Sequence, residues 1–207
     1  MEKTATCHGP PPDSRRRTTP RKRVSLNPEF LALLDKLPSD SLKQELLKKY
    51  RKPFENTPEL CALYLMSAGL KMKNKEYQSA LADCELLLRQ KEIYRYREVK
   101  SLQIRLLSCL KRYFETRRAC QELLLTELSA DEKREIILTL SESWESSGES
   151  GKAIAQAWSA VPVTGMPTDK KIQSDIRKLL LLIIRNAEKI NSPEDKNDAL
   201  ALLKEIQ

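Results

Sequence analysis

The sequence predicts an all-α fold of stacked helical pairs, and three observations predict it. Leu, Lys, Glu, Arg and Ala dominate the 207 residues, while aromatics make up 5% and glycine only five residues, the usage of helices rather than sheets. Three segments repeat one pattern: KEYQSALADCELLL around Ala80, YFETRRACQELLL around Ala119 and SGESGKAIAQAWSAV around Ala153. Each puts a small alanine at the start of an apolar helical stripe. The intervals, 39 residues from Ala80 to Ala119 and 34 from Ala119 to Ala153, fit a helix–turn–helix solenoid with five residues added in the charged stretch RQKEIYRYREVK. A repeat of this kind predicts a binding surface rather than a reaction centre.

Taken in order, residues 1–26 combine GPPP, SRRR, TTP and RKR with almost nothing apolar, a composition that predicts a disordered basic tail. A single folded unit is expected over 27–207, divided into N-terminal helices (27–53), repeats (60–167) and C-terminal capping helices (168–207). Asn27 reads as an N-cap with Pro28 at the first helical position, leading into EFLALLDKL. A second helix is expected from Ser39 to the residue before Pro53. The stretch PELCALYLMSAGLKMK, with Leu60, Leu63, Tyr64 and Leu70 apolar, pairs with YQSALADCELLLRQ across KNKE. The second pair is Val99–Leu110 with Thr116–Leu125 across KRYFE, and the third is Ile136–Trp144 with Lys152–Ala160 across SSGES. Gly148 and Gly151 are the expected turn residues there.

Two further helices are expected, one from DKKIQSDIRKLLLLIIRNAEKI and one capped by Ser192 with Pro193 behind it. The stripe Ile172, Ile176, Leu179, Leu180, Ile183, Ala187, Ile190 has helical spacing and faces the core. Leu181, Leu182 and Ile184 fall outside it, which leaves two readings: a helix buried on two sides, or a second apolar face for docking.

The three pairs resemble the tetratricopeptide repeat, carried by Tyr77, Ala80 and Leu81 in the first unit and by Leu140, Trp144, Gly148 and Ala153 in the third. Residues 61–167 are covered. The resemblance is to a degenerate repeat: Thr116 replaces the aromatic before the second alanine, and Phe114 stands where the family prefers a small turn residue. It implies a right-handed stack of about three helical hairpins, flanked by helices, that holds a peptide or helix of a protein partner in a groove. Leu65, Met66, Gly69, Met72, Ile104, Arg105 and Lys111 are the expected groove residues. The family's two-carboxylate clamp is not expected, because Leu65, Gly69, Arg105, Glu135 and Thr139 at the corresponding places offer one cation and one repelling carboxylate.

Of the net charge of +8, residues 1–23 carry +5. Between Arg89 and Arg118 the balance is +7, with Arg89, Lys91, Arg95, Arg97, Lys111, Arg112, Arg117 and Arg118 as the main patch; from Gln121 to Ser150 it reverses to −6. Such polarity either steers an acidic partner to the middle repeat or marks solvated faces. Tyr94, Tyr96, Tyr113 and Phe114 interleave with the cations as in proteins that stack single-stranded nucleic acid, which keeps an RNA- or DNA-associated protein as the alternative. The clusters Arg15, Arg16, Arg17 and Arg21, Lys22, Arg23 read as a nuclear import address, a nucleic-acid arm or a solubilising tail. Ser25, two residues after Arg23, stands in a context that basophilic kinases favour.

Catalytic candidates are scarce. His8 is the only histidine and lies in the tail beside Cys7, no glycine-rich phosphate loop exists, and the acids alternate with Lys and Ser as on exposed faces. No enzyme activity, cofactor or metal is therefore expected. Five cysteines without a CxxC pair predict reduced, mostly buried thiols. The apolar runs, Leu60 to Met66 at seven residues and Leu179 to Ile184 at six, fall far short of the roughly 20 that span a bilayer, and no secretory signal is read at the start. A soluble nuclear or cytoplasmic subunit of a larger complex is expected, with a bacterial secretion chaperone or effector as the remaining alternative.

Overall fold

Local signals set most helix ends. The computed structural model describes residues 26–51, 58–90, 93–162 and 165–206. The tail, with both basic clusters and Ser25, lies outside the described residues, as does Lys91. Among the described residues all regular structure is helical: α1 Pro28–Lys36, α2 Asp40–Arg51, α3 Pro58–Lys73, α4 Tyr77–Leu88, α5 Tyr96–Cys109, α6 Tyr113–Leu124, α7 Ala130–Ser146, α8 Ser150–Trp158, α9 Lys170–Ile190 and α10 Pro193–Glu205. Asn27 caps α1 by accepting the Glu29 amide at 2.9 Å, as its sequence position predicts. Ser129 and Glu132 form a reciprocal capping box on α7, and Asp169 accepts the Lys171 and Ile172 amides on α9. Ser192 departs from expectation: its hydroxyl donates to Asp195 at 2.7 Å instead of capping the α10 amides.

Four turns share one geometry. After α3, α5, α7 and α9 a single residue takes the left-handed conformation: Lys75 (φ 63), Lys111 (φ 57), Gly148 (φ 80) and Asn191 (φ 55). In each turn the next amide reaches five residues back, as in Glu76 N to Lys71 O (2.8 Å), Arg112 N to Leu107 O (3.0 Å), Glu149 N to Trp144 O (3.0 Å) and Ser192 N to Ala187 O (2.9 Å). These are Schellman closures, which satisfy the last carbonyls and reverse the chain within a few residues. Because the closure after α5 is complete at Arg112, Tyr113 and Phe114 begin α6 rather than extending the expected KRYFE turn. Gly151 likewise belongs to α8 and not to the turn. A lysine at a left-handed position is strained where glycine is not. Lys111→Gly is therefore expected to raise stability by about 0.5–1 kcal/mol, and Gly148→Ala to lower it by about 1 kcal/mol, in urea unfolding.

Helices consecutive in the chain pack on each other from α2 onward, and α7 also touches α9. The repeated alanines are buried where the paired helices meet, with Ala80 and Ala153 at 0% exposure and Ala119 at 4%. A fourth, Ala199 of α10, is also at 0%, so α9 and α10 close the stack as one more hairpin built on the same small residue. Leu179, Leu180, Leu182 and Ile183 are all buried between α7, α8 and α10. This decides for two-sided burial of α9. Only Leu181 (40%) stays exposed there, and Ile190, expected in the core, is 48% exposed because it is the last residue of the helix. Separate clusters bind α1 and α2 to α3 through Phe30, Leu34, Leu47 and Leu63, and join α4 to α7 through Leu81, Val99, Leu123 and Leu140.

Candidate functional site: an apolar groove between α1, α3 and α5

Three helices leave a gap at the N-terminal half of the stack. α1 turns Phe30 and Leu34 inward onto Ala62 and Leu63 and so leaves Leu31 outward, 36% exposed. α3 contributes Leu65 and Met66, and α5 contributes Leu102. With Leu26 and Pro28 they line a cavity of about 660 Å³, closed at one edge by the Arg95–Glu98 ion pair. Cys61 donates its Sγ proton to the Tyr94 carbonyl at 3.0 Å, which fixes the segment that carries Arg95. An aliphatic wall with a neutralised polar edge suits the apolar face of a helix or an extended peptide.

The expected groove residues divide. Leu65 and Met66 line the cavity, and Gly69, further along α3, looks into open space. Met72 is half-buried and packs against the central core. Ile104 does not belong to the groove: it is 3% exposed, because the phase of α5 turns it inward and brings Leu102 to the cavity instead. Arg105 is exposed but bonded to Glu135 of α7 at 2.6 Å. Lys111, the strained residue of the α5–α6 turn, lines a second, polar cavity of about 360 Å³ with Glu142, Glu145 and Arg185. Leu26, Leu31 and Leu102 were not expected. The α1 pattern of Phe30 and Leu34 facing in, with Leu31 facing out, was the signal that carried the missing wall.

Three solved structures share this architecture. A MamA double mutant of strain RS-1 superposes with a TM-score of 0.64 at 13% identity, covering 86% of this chain and 92% of its own. A Podosopora anserina structure described as a kinesin light chain with nearly identical TPR-like repeats gives 0.62 at 13% identity, covering 86% and 93%. MamA from residue 41 to its end, from Desulfovibrio magneticus RS-1, gives 0.61 at 14% identity, covering 86% and 95%. The fold is a tetratricopeptide-like helical-repeat solenoid. No protein-family model and no curated protein matches the chain in sequence.

Within this solenoid the charged blocks pair mostly along their own helices, with fewer bonds crossing between helices. Arg89 pairs with Glu85 (3.9 Å), Arg112 with Glu115 (2.7 Å) and Arg118 with Glu122 (3.1 Å), while Arg95 pairs with Glu98. Lys100, nearly buried, reaches Glu122 of α6 at 2.6 Å, and that bond holds the Glu122 carboxyl below the usual carboxylate range. Arg117 stacks 4.1 Å from the Trp144 ring centroid and donates to Ser147 Oγ at 2.7 Å. Of the patch's described cations, Arg97, Lys111 and Arg117 have no carboxylate partner among the described residues, and Arg117 is held by Trp144 and Ser147 instead. The local balance of +7 is thus largely met by acids of the same and following helices, which weakens steering of an acidic partner. Tyr94 and Tyr96 pack on the core, Tyr113 lines the polar cavity, and Phe114 stands 72% exposed.

Two polar clusters brace the frame, one buried between α2, α3 and α4 and one more exposed between α7 and α9. Asp83 of α4 accepts Ser67 Oγ at 3.0 Å and Lys71 Nζ at 2.8 Å, with Arg51 Nη2 of α2 at 3.6 Å; the same guanidinium lies 3.8 Å from the Tyr64 ring centroid. In α7, Glu145 accepts Arg185 Nη2 at 3.0 Å and Lys189 Nζ at 2.9 Å from α9. Burial pushes the Glu145 carboxyl up, but the two cations outweigh it and hold it below its ordinary value of 4.5. A depressed folded pKa gives stability that is present above the unfolded value and lost as pH falls through the folded one. Thermal unfolding between pH 6 and pH 3 is therefore expected to lose part of its Tm below about pH 4.5 in the native chain. Glu145→Gln is expected to start lower and to fall less steeply.

Cys61, Cys84 and Cys120 are buried free thiols, pushed up to about 11, 12 and 12 by burial, and so unreactive near neutral pH; Cys109 is free and exposed. No group of three His, Cys, Asp or Glu side chains stands together among the described residues in a way that holds a metal ion. No helix among them is long and apolar enough to cross a membrane.

Proposed function

We propose that the chain is a non-enzymatic interaction scaffold, which seats the apolar face of a partner's helix or peptide in the groove between α1, α3 and α5. The observation that carries this reading is the 660 Å³ cavity with leucine and methionine walls, open on a frame otherwise stitched by ion pairs. Support also comes from the fold: stacked helical pairs present extended surfaces with few converging titratable groups, as binding rather than catalysis needs. In this reading the tail clusters Arg15–Arg17 and Arg21–Arg23 act as a nuclear import address, and the scaffold works as a subunit or regulator of a larger complex.

The test is capture of partners from cell lysate by the full-length protein, with and without nuclease, at low and moderate salt. Retained proteins that survive nuclease and are lost on Leu65→Asp support the reading. Retention that vanishes with nuclease, falls steeply with salt and ignores Leu65→Asp overturns it in favour of nucleic-acid binding. A fluorescent reporter fused to the tail, followed with Arg21→Ala, Lys22→Ala and Arg23→Ala, tests import: unchanged nuclear signal contradicts that role.

A further inference from the structure

The polar cavity of about 360 Å³ is walled by several parts of the stack, and two of its charges are unmet. Lys111 enters it from the α5–α6 turn, Glu142 and Glu145 from α7, and Arg185 from α9. Ser143 of α7 donates its hydroxyl to the Tyr113 carbonyl at 3.0 Å, which holds α7 against the start of α6 and so fixes the wall. Glu145 is taken, since it binds Arg185 at 3.0 Å and Lys189 at 2.9 Å. Glu142 has no ion pair among the described residues, and neither has Lys111. Both are exposed to solvent and line one cavity without pairing with each other. Protein packed around Glu142 removes water and pushes its carboxyl up from the ordinary 4.5, a change that Arg185 and Lys178 only partly reverse and Glu145 adds to. Its charge is poorly met within the fold. Lys111, in turn, holds a left-handed conformation (φ 57) that glycine takes without strain, so its side chain is kept at the cavity against the backbone's preference.

We infer that this cavity binds a dipolar ligand, one with a guanidinium or ammonium group and a carboxylate, its cation paired with Glu142 and its carboxylate with Lys111. Either charge alone is a poor fit. A bare anion meets Glu142 and Glu145 on the wall, and a bare cation meets Lys111 and Arg185. A ligand of both signs finds an unmet opposite charge for each, and the hydroxyls of Ser108, Tyr113 and Ser146 add neutral hydrogen-bonding groups to the lining. The volume is at the lower end for a small-molecule site, which suits an amino-acid-sized group rather than a helix. Such a group comes from a free amino-acid derivative or from neighbouring basic and acidic side chains of a protein partner. The site shares no lining residue with the apolar groove, so it stands or falls apart from the groove reading.

The probe is N-acetylarginine, which carries one guanidinium and one carboxylate, titrated into the full-length chain and followed by amide NMR shifts. Saturable shifts of residues 108–113 and 142–146 are expected, with a dissociation constant on the order of 1 mM. N-acetylarginine amide, which lacks the carboxylate, and N-acetylalanine, which lacks the cation, are expected to bind at least about 10-fold more weakly. Glu142→Gln and Lys111→Gly should each weaken N-acetylarginine by a similar factor. Neither variant breaks an ion pair among the described residues, and Lys111→Gly relieves backbone strain, so lost binding is not lost folding. Absence of saturable binding, equal binding of either single-charge probe, or unchanged affinity in either variant would each overturn the proposal. Acetylated and amidated arginyl-glutamate, with both charges on side chains, identifies the source. Tighter binding than N-acetylarginine points to a partner segment and weaker binding to a free amino-acid derivative, and either result supports the site.

Discussion

Replacing Asp83 with alanine is expected to lower the stability of the native state by about 2–3 kcal/mol in urea unfolding. The carboxylate is buried, accepts from Ser67 and Lys71, and forms an ion pair with Arg51 at 3.6 Å. Its removal leaves one hydroxyl and two cations facing a gap. Both cations retain some access to water, with side-chain exposures of 15% for Lys71 and 17% for Arg51, so the loss stays at the lower end for a broken buried pair. The change is also local. Since Arg51 joins α2 to α4 through Asp83, the amides of Leu46 and Leu47 should exchange with deuterium well before those of α7. A uniform rise in exchange along the stack would show that Asp83 supports the whole solenoid rather than the N-terminal dock. The groove would then be distorted by this variant too, because α1 leans on α2 and α3.

The second large effect is on binding. Met66→Asp places a carboxylate on the apolar wall with no cation among the cavity-lining residues except Arg95, which Glu98 already holds. A partner that seats an aliphatic face there must bury that charge unpaired, and the affinity is expected to fall at least about 100-fold. Met66 is half-buried, so folding should survive the change, and circular dichroism checks this. Arg97→Glu, which alters a cation with no carboxylate partner among the described residues and outside the cavity lining, is the contrast: it should leave a groove ligand within about twofold. A reversal of the two results would move the interface to the basic surface.

How much of this was written in the chain varies by element. The alanines at 80, 119 and 153 mark close helix contacts because only a small side chain fits there, and that requirement is local enough to read. The fourth, Ala199, was hidden by the long α9 and the segment before it, which set it 46 residues after Ala153. The KNKE turn was read correctly, whereas the KRYFE turn was drawn too long because lysine, not glycine, takes the left-handed position at Lys111 and closes it early. Ion pairs were the least legible, for Lys100 meets Glu122 and Arg105 meets Glu135 across helices that only the fold brings together. A local count of charges therefore shows a patch where the structure has struts. In the groove, Leu65 and Met66 were readable from α3, whereas Ile104 and Leu102 exchanged roles because the rotation of α5 is fixed by packing rather than by its own sequence.

The central claim, that partners bind between α1, α3 and α5, is tested most directly by site-specific photo-crosslinking. A photoreactive amino acid is placed at Leu102 in the groove and, separately, at Leu86, which is 49% exposed on α4 and outside the cavity lining. The account predicts a covalent partner adduct from position 102 that Leu65→Asp removes, with little or none from position 86. An adduct from position 86 alone would contradict it.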